Sequence, residues 1–191
     1  MLNTRSAVVE AIHSLSLAIW LSMLVTAAMG ASLIFPAMRE ANATVPGYPA
    51  YPGEAWRLVG GLAASRIFFL TASVQAWCGL IAAFSFIAAA ALGGLKLRSL
   101  AGAARLIALL IGCATLTYYT HFYMPDMHAQ LDTLLATSAD PAQAQAAKAA
   151  QATFDVSHKT GTPLITTMAI LVLASLALVP ISHLRRRTLE S

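Results

Sequence analysis

Four long stretches of apolar residues, each free of charged side chains, divide the chain. Their charged boundaries are Glu10 and Arg39, Arg66 and Lys96, Arg105 and Asp126, and Lys159 and Arg185. Each stretch is long enough to cross a bilayer, which takes about 20 helical residues. The pattern predicts four membrane-spanning helices at about residues 12–38, 67–94, 103–125 and 160–183, within a single transmembrane domain over residues 1–191.

The two longer connections, residues 39–66 and 126–159, are predicted to form outer loops with helices of their own. Trp56 and Val59 recur at helical spacing, which indicates an amphipathic helix at the membrane surface. Residues 128–158 are rich in alanine and glutamine and favour helix, with a boundary where Asp140 caps a helix that starts at Pro141. The predicted fold class is all-α: an integral membrane four-helix bundle with short amphipathic and extramembrane helices on the outer side.

Composition agrees with a membrane protein and excludes several other classes. Hydrophobic residues make up 58% of the chain and charged residues only 10%, whereas soluble domains carry about 25% charged residues. The first apolar stretch is too long for a cleavable signal peptide. No basic stripe with interleaved aromatics indicates a nucleic-acid partner. Cys78 and Cys113 lie inside apolar stretches and are predicted to be buried thiols rather than a disulfide.

The distribution of charge predicts the orientation in the membrane. With four spans, the termini and the loop near residues 95–105 share one side. The charged residues of that side are Arg5, Lys96, Arg98, Arg105, Arg185, Arg186 and Arg187, against Glu10 and Glu190, which gives 7 − 2 = +5. The opposite side carries five basic and six acidic residues, which gives 5 − 6 = −1. Because basic residues stay on the cytoplasmic side, both termini are predicted to be cytoplasmic in a bacterial inner membrane.

The chain contains several short motifs: His13 with Trp20, Leu33–Pro36, Trp56–Gly61 before Arg66, Tyr123–Pro125, and Phe154-Asp155 before His158. Together these motifs resemble an uncharacterised four-helix membrane family related to the cisplatin-resistance-associated transmembrane proteins. More distantly, they are similar to the membrane domain of copper resistance protein D and to the bacterial haem-binding protoporphyrinogen oxidase. The four-helix family itself has no established function. The two distant relatives imply haem or copper as the ligands to be tested. The chain departs from the family over residues 161–166, because the last helix of the family usually carries an asparagine about two turns after the histidine.

Three outward histidines and a methionine form the first candidate site. His121, Met124 and His128 share one helical face by their spacing of three and seven residues, and His158 begins the next span at a similar depth. Imidazole and thioether together suit copper, and imidazole alone suits zinc or haem. The alternative is a belt of imidazole and aromatic side chains at the headgroup level. Pro125 cannot donate to the carbonyl of His121, so a helix distortion is expected there.

Two further sets of residues are candidates. His13 and His183 lie near the cytoplasmic ends of the first and fourth spans, where they could be axial haem ligands or simply interfacial side chains. Arg66 begins the second span, where it either extends to the interface or forms a structural ion pair with Asp126 or Asp155.

No catalytic motif is visible, so the chain is not expected to be an enzyme. The first hypothesis is a non-catalytic structural or accessory component that packs in the lipid bilayer with a membrane-protein partner or a second copy. Gly79 and Gly112 let helices approach closely, although the sequence does not tell whether the neighbour is the same chain. The alternatives are a haem- or copper-binding membrane protein and a small transporter subunit.

Overall fold

Helices make up almost all of the structure, a computed structural model that describes residues 4–92, 95 and 97–187, with side chains described up to residue 181. The α-helices are α1 (Thr4–Glu40), α2 (Ala55–Ala91), α3 (Leu100–Tyr118), α4 (Met124–Ser138) and α5 (Ala144–Arg187). Four helical stretches of the described chain are long and apolar enough to cross a membrane: Thr4–Glu40, Ala55–Ala91, Leu100–Ser138 and Pro141–Ile181. The protein is therefore an all-α, multi-pass membrane protein, which confirms the predicted fold class.

The helices are longer than the predicted spans because neighbouring segments continue them. The predicted surface helix before Arg66 and the second span form one unbroken helix, α2. The predicted helices after the third span are α4 and the first part of α5. Asp140 caps the turn between them, since its carboxylate accepts a hydrogen bond of 2.9 Å from the N–H of Ala142, and Pro141 follows at the first helical position. Both features confirm the boundary predicted from the sequence.

A π-helical turn, Tyr119–Tyr123, joins α3 to α4 at the place where Pro125 was expected to distort the helix. The N–H of Met124 donates to the carbonyl of Tyr119, five residues earlier rather than four. Pro125 has no N–H to give to His121, and its ring would clash with that carbonyl in a regular α-helix. The extra residue in the turn removes this conflict without ending the helix.

The chain divides into two compact units. The terminal unit consists of the described parts of Met1–Leu24, Ser73–Thr117 and Thr166–Ser191. The hairpin unit consists of Val25–Ala72 and Tyr118–Ile165. Each unit contains a segment of all four spanning stretches, because each stretch passes through a unit boundary.

The core of the terminal unit is built around Trp20. One face of α1 is buried at alternating intervals of three and four residues: Ser6, Glu10, His13, Leu17, Trp20 and Leu24. The Trp20 ring fits between two glycines, and a Cβ atom at Gly79 or at Gly112 would lie 3.7 Å from it. These glycines therefore serve packing within the chain, which the sequence had left open.

In the hairpin unit, the connection between α1 and α2 is tied down onto α4. The N–H of Ala50 donates to the carbonyl of Ser138 at 3.0 Å, and both residues are buried. The connection turns at Gly47, whose φ of 96° lies in the left-handed region that glycine adopts at little cost. Tyr51 follows this turn and is partly buried, and burial raises the pKa of its phenol. The connection is thus an ordered part of the unit.

Candidate functional site

The terminal unit contains a buried ion pair between α1 and α3. The Nη2 atom of Arg105 lies 2.5 Å from Oε1 of Glu10, and the two side chains are 0% and 11% exposed. Both residues were predicted to be charges at span boundaries, and their pairing was not predicted. A signal was present, because Glu10 shares the buried face of α1 with Leu17 and Arg105 shares the buried face of α3 with Gly112. A buried charge is tolerated when a partner of opposite sign compensates it.

His13 lies one turn after Glu10 and is 1% exposed. Its Nδ1 atom is 2.9 Å from the carbonyl oxygen of Ala82. A carbonyl can only accept, so Nδ1 carries the proton and donates it. The hydroxyl of Ser85 lies 3.4 Å from the same nitrogen. His13 is therefore a core residue with a fixed ring orientation rather than an interfacial side chain.

One aromatic ring connects the imidazole to the ion pair. The Phe86 ring centroid is 5.6 Å from that of His13, and the guanidinium carbon of Arg105 is 5.7 Å from the Phe86 centroid. A cation over an aromatic face is attracted by the ring quadrupole. Together these residues form what we call the buried polar cluster: Glu10, His13, Ser85, Phe86 and Arg105. It brings one carboxyl group, one permanently charged guanidinium and one imidazole into the apolar core between three helices.

The chemistry open to this cluster is limited by its internal bonds. Ser85 gives its hydroxyl proton to its own helix, at 2.6 Å from the carbonyl of Ile81, and Glu10 is bonded to Arg105. His13 is oriented through Nδ1, which is how metal-ligating histidines are commonly held while Nε2 binds the metal. The side chain of His183, its predicted partner as a haem ligand, lies outside the described residues.

Three other buried polar atoms of the terminal unit have no hydrogen-bond partner within the described chain: Trp20 Nε1, Gln75 Oε1 and Ser175 Oγ. Buried polar atoms without a protein partner are commonly satisfied by internal water. Thr71, one turn before Gln75 on α2, donates its hydroxyl proton to the carbonyl of Ile67 at 2.8 Å. The hydroxyl of Thr71 is therefore used within its own helix.

Two of the three histidines of the hairpin unit have aromatic neighbours of their own. His128 meets the edge of the Phe69 ring at 5.9 Å between centroids, and His158 stacks on Phe154 at 5.7 Å. His121 is exposed within the π-helical turn, while Met124 is half-buried after it. Because this turn contains an extra residue, it changes the angular position of His121 relative to the residues that follow. Among the described residues, no group of three or more His, Cys, Asp or Glu side chains could hold a metal ion.

Tyr123, the first residue of the Tyr123–Pro125 motif, connects the π-helical turn to α5. Its hydroxyl donates to the carbonyl of His158 at 3.5 Å. The hydroxyl also occupies the space where a Cβ atom would stand at Gly161. A larger residue at Gly161 would therefore displace the tyrosine.

The predicted ion pair of Arg66 has no counterpart in the described part of the chain. Arg66 is exposed. Asp126 accepts a hydrogen bond of 2.7 Å from Gln130, and Asp155 accepts one of 2.8 Å from Gln151. Each aspartate is thus bonded one turn away on its own helix, and the structure brings neither of them to Arg66.

The fold and the buried polar cluster define the class as a multi-pass, all-helical membrane protein with an ion pair between two of its spanning helices. Comparison of the chain with protein-family models, with curated proteins and with solved structures finds no match. The family resemblance stays a prediction.

Proposed function

We propose that this chain is a non-catalytic accessory component of the bacterial inner membrane, with both termini in the cytoplasm, and that one face of α2 packs against another membrane protein. The observation that supports the proposal is the position of Trp77. Its side chain is 68% exposed, and in the described part of the chain its indole N–H has no hydrogen-bond partner.

The depth of Trp77 makes this exposure unusual. Trp77 follows Arg66 by eleven residues, or about 16 Å at the helical rise, which is near the middle of a hydrocarbon core of about 30 Å. Tryptophan normally lies at the membrane interfaces, where its N–H meets water or headgroups. Lipid tails offer no acceptor, and an unsatisfied donor in hydrocarbon costs several kcal/mol. A neighbouring protein can supply the missing acceptor.

Other large side chains continue the exposed face along the helix. Leu80 is 50% exposed, Phe84 69% and Ile87 63%, and their spacing of three, four and three residues places them in line with Trp77. We call these four residues the Trp77 face. Aromatic residues are enriched in protein interfaces because they combine a large rigid surface with few rotatable bonds. The face therefore suits a rigid protein neighbour better than lipid chains.

The buried ion pair removes one basic and one acidic residue from the charge count behind the proposed topology, so the net charge of each side is unchanged. Glu10 and Arg105 are buried together and are no longer counted as loop charges. The side bearing the termini then has six basic residues against one acidic residue, so 6 − 1 = +5, as before. The excess still supports cytoplasmic termini.

Thiol labelling in intact cells tests this topology. A cysteine introduced at the exposed Ala146 near the start of α5, in a chain without Cys78 and Cys113, should react with an impermeant thiol reagent added outside the cell. Protection of that cysteine would refute the topology.

Photo-crosslinking in the native host tests the packing role. A benzophenone side chain at position 77 should give a discrete crosslinked protein species, and the same group at Leu110, which is 59% exposed on α3, should not. A product of twice the chain mass identifies a second copy as the neighbour. Trp77→Leu should weaken co-purification of the crosslinked neighbour, whereas Leu110→Ala should leave it unchanged. Lipid adducts alone at position 77 would refute the proposal.

The geometry of His13 favours one second candidate function, haem binding. Its Nδ1–H bond to Ala82 fixes the ring, so Nε2 is the nitrogen that would coordinate the iron. Protein purified from haem-replete cells should then show a Soret band that is lost in His13→Ala and kept in His121→Ala. A colourless protein, with no haem extracted into acidic solvent, would remove this candidate. Copper binding by the outward histidines is tested on the same sample by elemental analysis.

A further inference from the structure

A cleft of about 540 Å³ lies in the hairpin unit, between the last turns of α1 and the first turn of α2. It is lined by Phe35, Pro36, Arg39, Glu40 and Trp56. The cleft therefore combines three apolar or aromatic walls with one basic and one acidic side chain, which follow each other in the sequence.

The two arginines near Trp56 have different electrostatic surroundings. The guanidinium carbon of Arg57 is 5.3 Å from the Trp56 ring centroid, and the Nε atom of Arg57 is 3.2 Å from Oε2 of Glu54, so its charge is already compensated. Arg39 lies 6.0 Å from the same centroid. In the described chain, Arg39 has no ion-pair partner, and neither has Glu40. The cleft thus presents one positive and one negative charge that the protein itself does not pair.

The sequence places this cleft at the level of lipid headgroups. Arg39 is the first charged residue after the uncharged stretch that begins at Ala11. Phe35 and Pro36 occupy the last apolar turn before it. A ligand in the cleft would meet hydrocarbon on one side and water on the other, which is the position of a phospholipid headgroup at the end of a spanning helix.

We propose that this cleft binds the headgroup of a zwitterionic phospholipid. The phosphate faces the Arg39 guanidinium, the ammonium faces the Glu40 carboxylate, and the upper acyl region lies against Phe35 and Pro36. A guanidinium recognises phosphate through charge-assisted hydrogen bonds. A purely anionic headgroup would gain the contact with Arg39 but would be repelled by Glu40. A headgroup with both charges satisfies both side chains, and this selects the zwitterionic class.

Fluorescence quenching of Trp56 by brominated lipids provides the test. The protein carries Trp77→Phe so that Trp56 is the partly exposed tryptophan, since Trp20 is completely buried. It is reconstituted in nanodiscs of an uncharged glycolipid, which offers neither charge to the cleft, containing a small fraction of brominated phosphatidylethanolamine or brominated phosphatidylglycerol. We expect the ethanolamine lipid to quench Trp56 about two- to fivefold more than the glycerol lipid at equal mole fraction. This ratio corresponds to the free energy of one exposed charge contact.

Matched variants assign the two charges. Glu40→Gln should abolish the preference for the ethanolamine lipid over the glycerol lipid, and Arg39→Gln should lower quenching by both. Arg57→Gln is the control, because Arg57 contacts the same ring but does not line the cleft, and it should preserve the preference. Each variant must keep the thermal midpoint of its parent, which separates loss of binding from loss of folding.

Three results would overturn the assignment. One is quenching that follows mole fraction alone for every lipid. Another is an equal effect of Arg39→Gln and Arg57→Gln. The third is displacement by soluble phosphoethanolamine or inorganic phosphate without a lipid preference, which would assign a soluble ligand. The inference rests on the membrane-spanning fold and not on the accessory role, so a failed crosslink at position 77 leaves it standing.

Discussion

The ion pair between Glu10 and Arg105 allows a quantitative prediction about stability. Replacing either residue alone by an apolar side chain, as in Glu10→Leu or Arg105→Met, leaves the other charge in the core. Arg105 is 0% exposed and Glu10 is 11% exposed at the side chain, so water cannot easily solvate the remaining charge. The pair also connects helices through residues that are 95 positions apart in sequence.

The expected magnitudes differ between single and double variants. Removing one partner of a buried pair costs about 3–5 kcal/mol, whereas replacing both by apolar residues of similar volume is often neutral or stabilising. For a chain of 191 residues, 1 kcal/mol corresponds to about 2–4 °C in the unfolding midpoint, so each single variant should lose about 6–20 °C. The double variant should return to the wild-type midpoint or exceed it, which corresponds to a strong coupling energy.

The native cysteines provide the assay. Cys78 is buried and Cys113 is partly buried, and neither forms a disulfide, so a thiol-reactive fluorophore reports unfolding in detergent without an added label. Thermal midpoints of the wild type, both single variants and the double variant complete the thermodynamic cycle. Arg105→Lys is a useful fifth sample, since it keeps the charge but loses the planar guanidinium, and it should fall between wild type and Arg105→Met.

Two outcomes would refute this reasoning. If the effects of the single variants simply add in the double variant, the two charges do not stabilise one another. If Arg105→Met unfolds at the wild-type temperature, Glu10 is solvated or neutralised in some other way, and the buried position of the pair is wrong.

Three further predictions concern packing, pH and capping. Gly79→Val should lower the unfolding midpoint, since a Cβ atom there would lie 2.7 Å from Cδ2 of Leu116 and overpacking costs about 1–3 kcal/mol. Gly61→Ala is the control, because the space beside Gly61 is open, and it should not lower the midpoint. Burial raises the pKa of Tyr51, so its neutral form stabilises the folded state; that contribution is complete below the ordinary tyrosine pKa of about 10 and declines above it. Denaturant midpoints should therefore fall less steeply above that pH in Tyr51→Phe than in wild type. Asp140→Ala should cost about 1 kcal/mol through loss of the helix cap and Asp140→Asn much less, as measured by the same unfolding assay; equal losses would exclude the cap as the cause.

The sequence determined those features that depend on the chain's contact with its solvent. Four uncharged stretches of spanning length predicted the membrane fold, because a bilayer requires long apolar helices whatever they pack against. The cap at Asp140 and the distortion near Pro125 were also predictable, since both follow from backbone chemistry within a few residues.

The tertiary structure alone decided which polar residues face each other. Glu10 and Arg105 were counted as loop charges because each lies next to a span boundary, and only the meeting of α1 with α3 makes them a buried pair. Spacing placed His121 and His128 on one face, but the π-helical turn and the ring of Phe69 separate their surroundings. Helical periodicity gives the direction of a side chain on its own helix, whereas burial and partners depend on which other helix lies opposite.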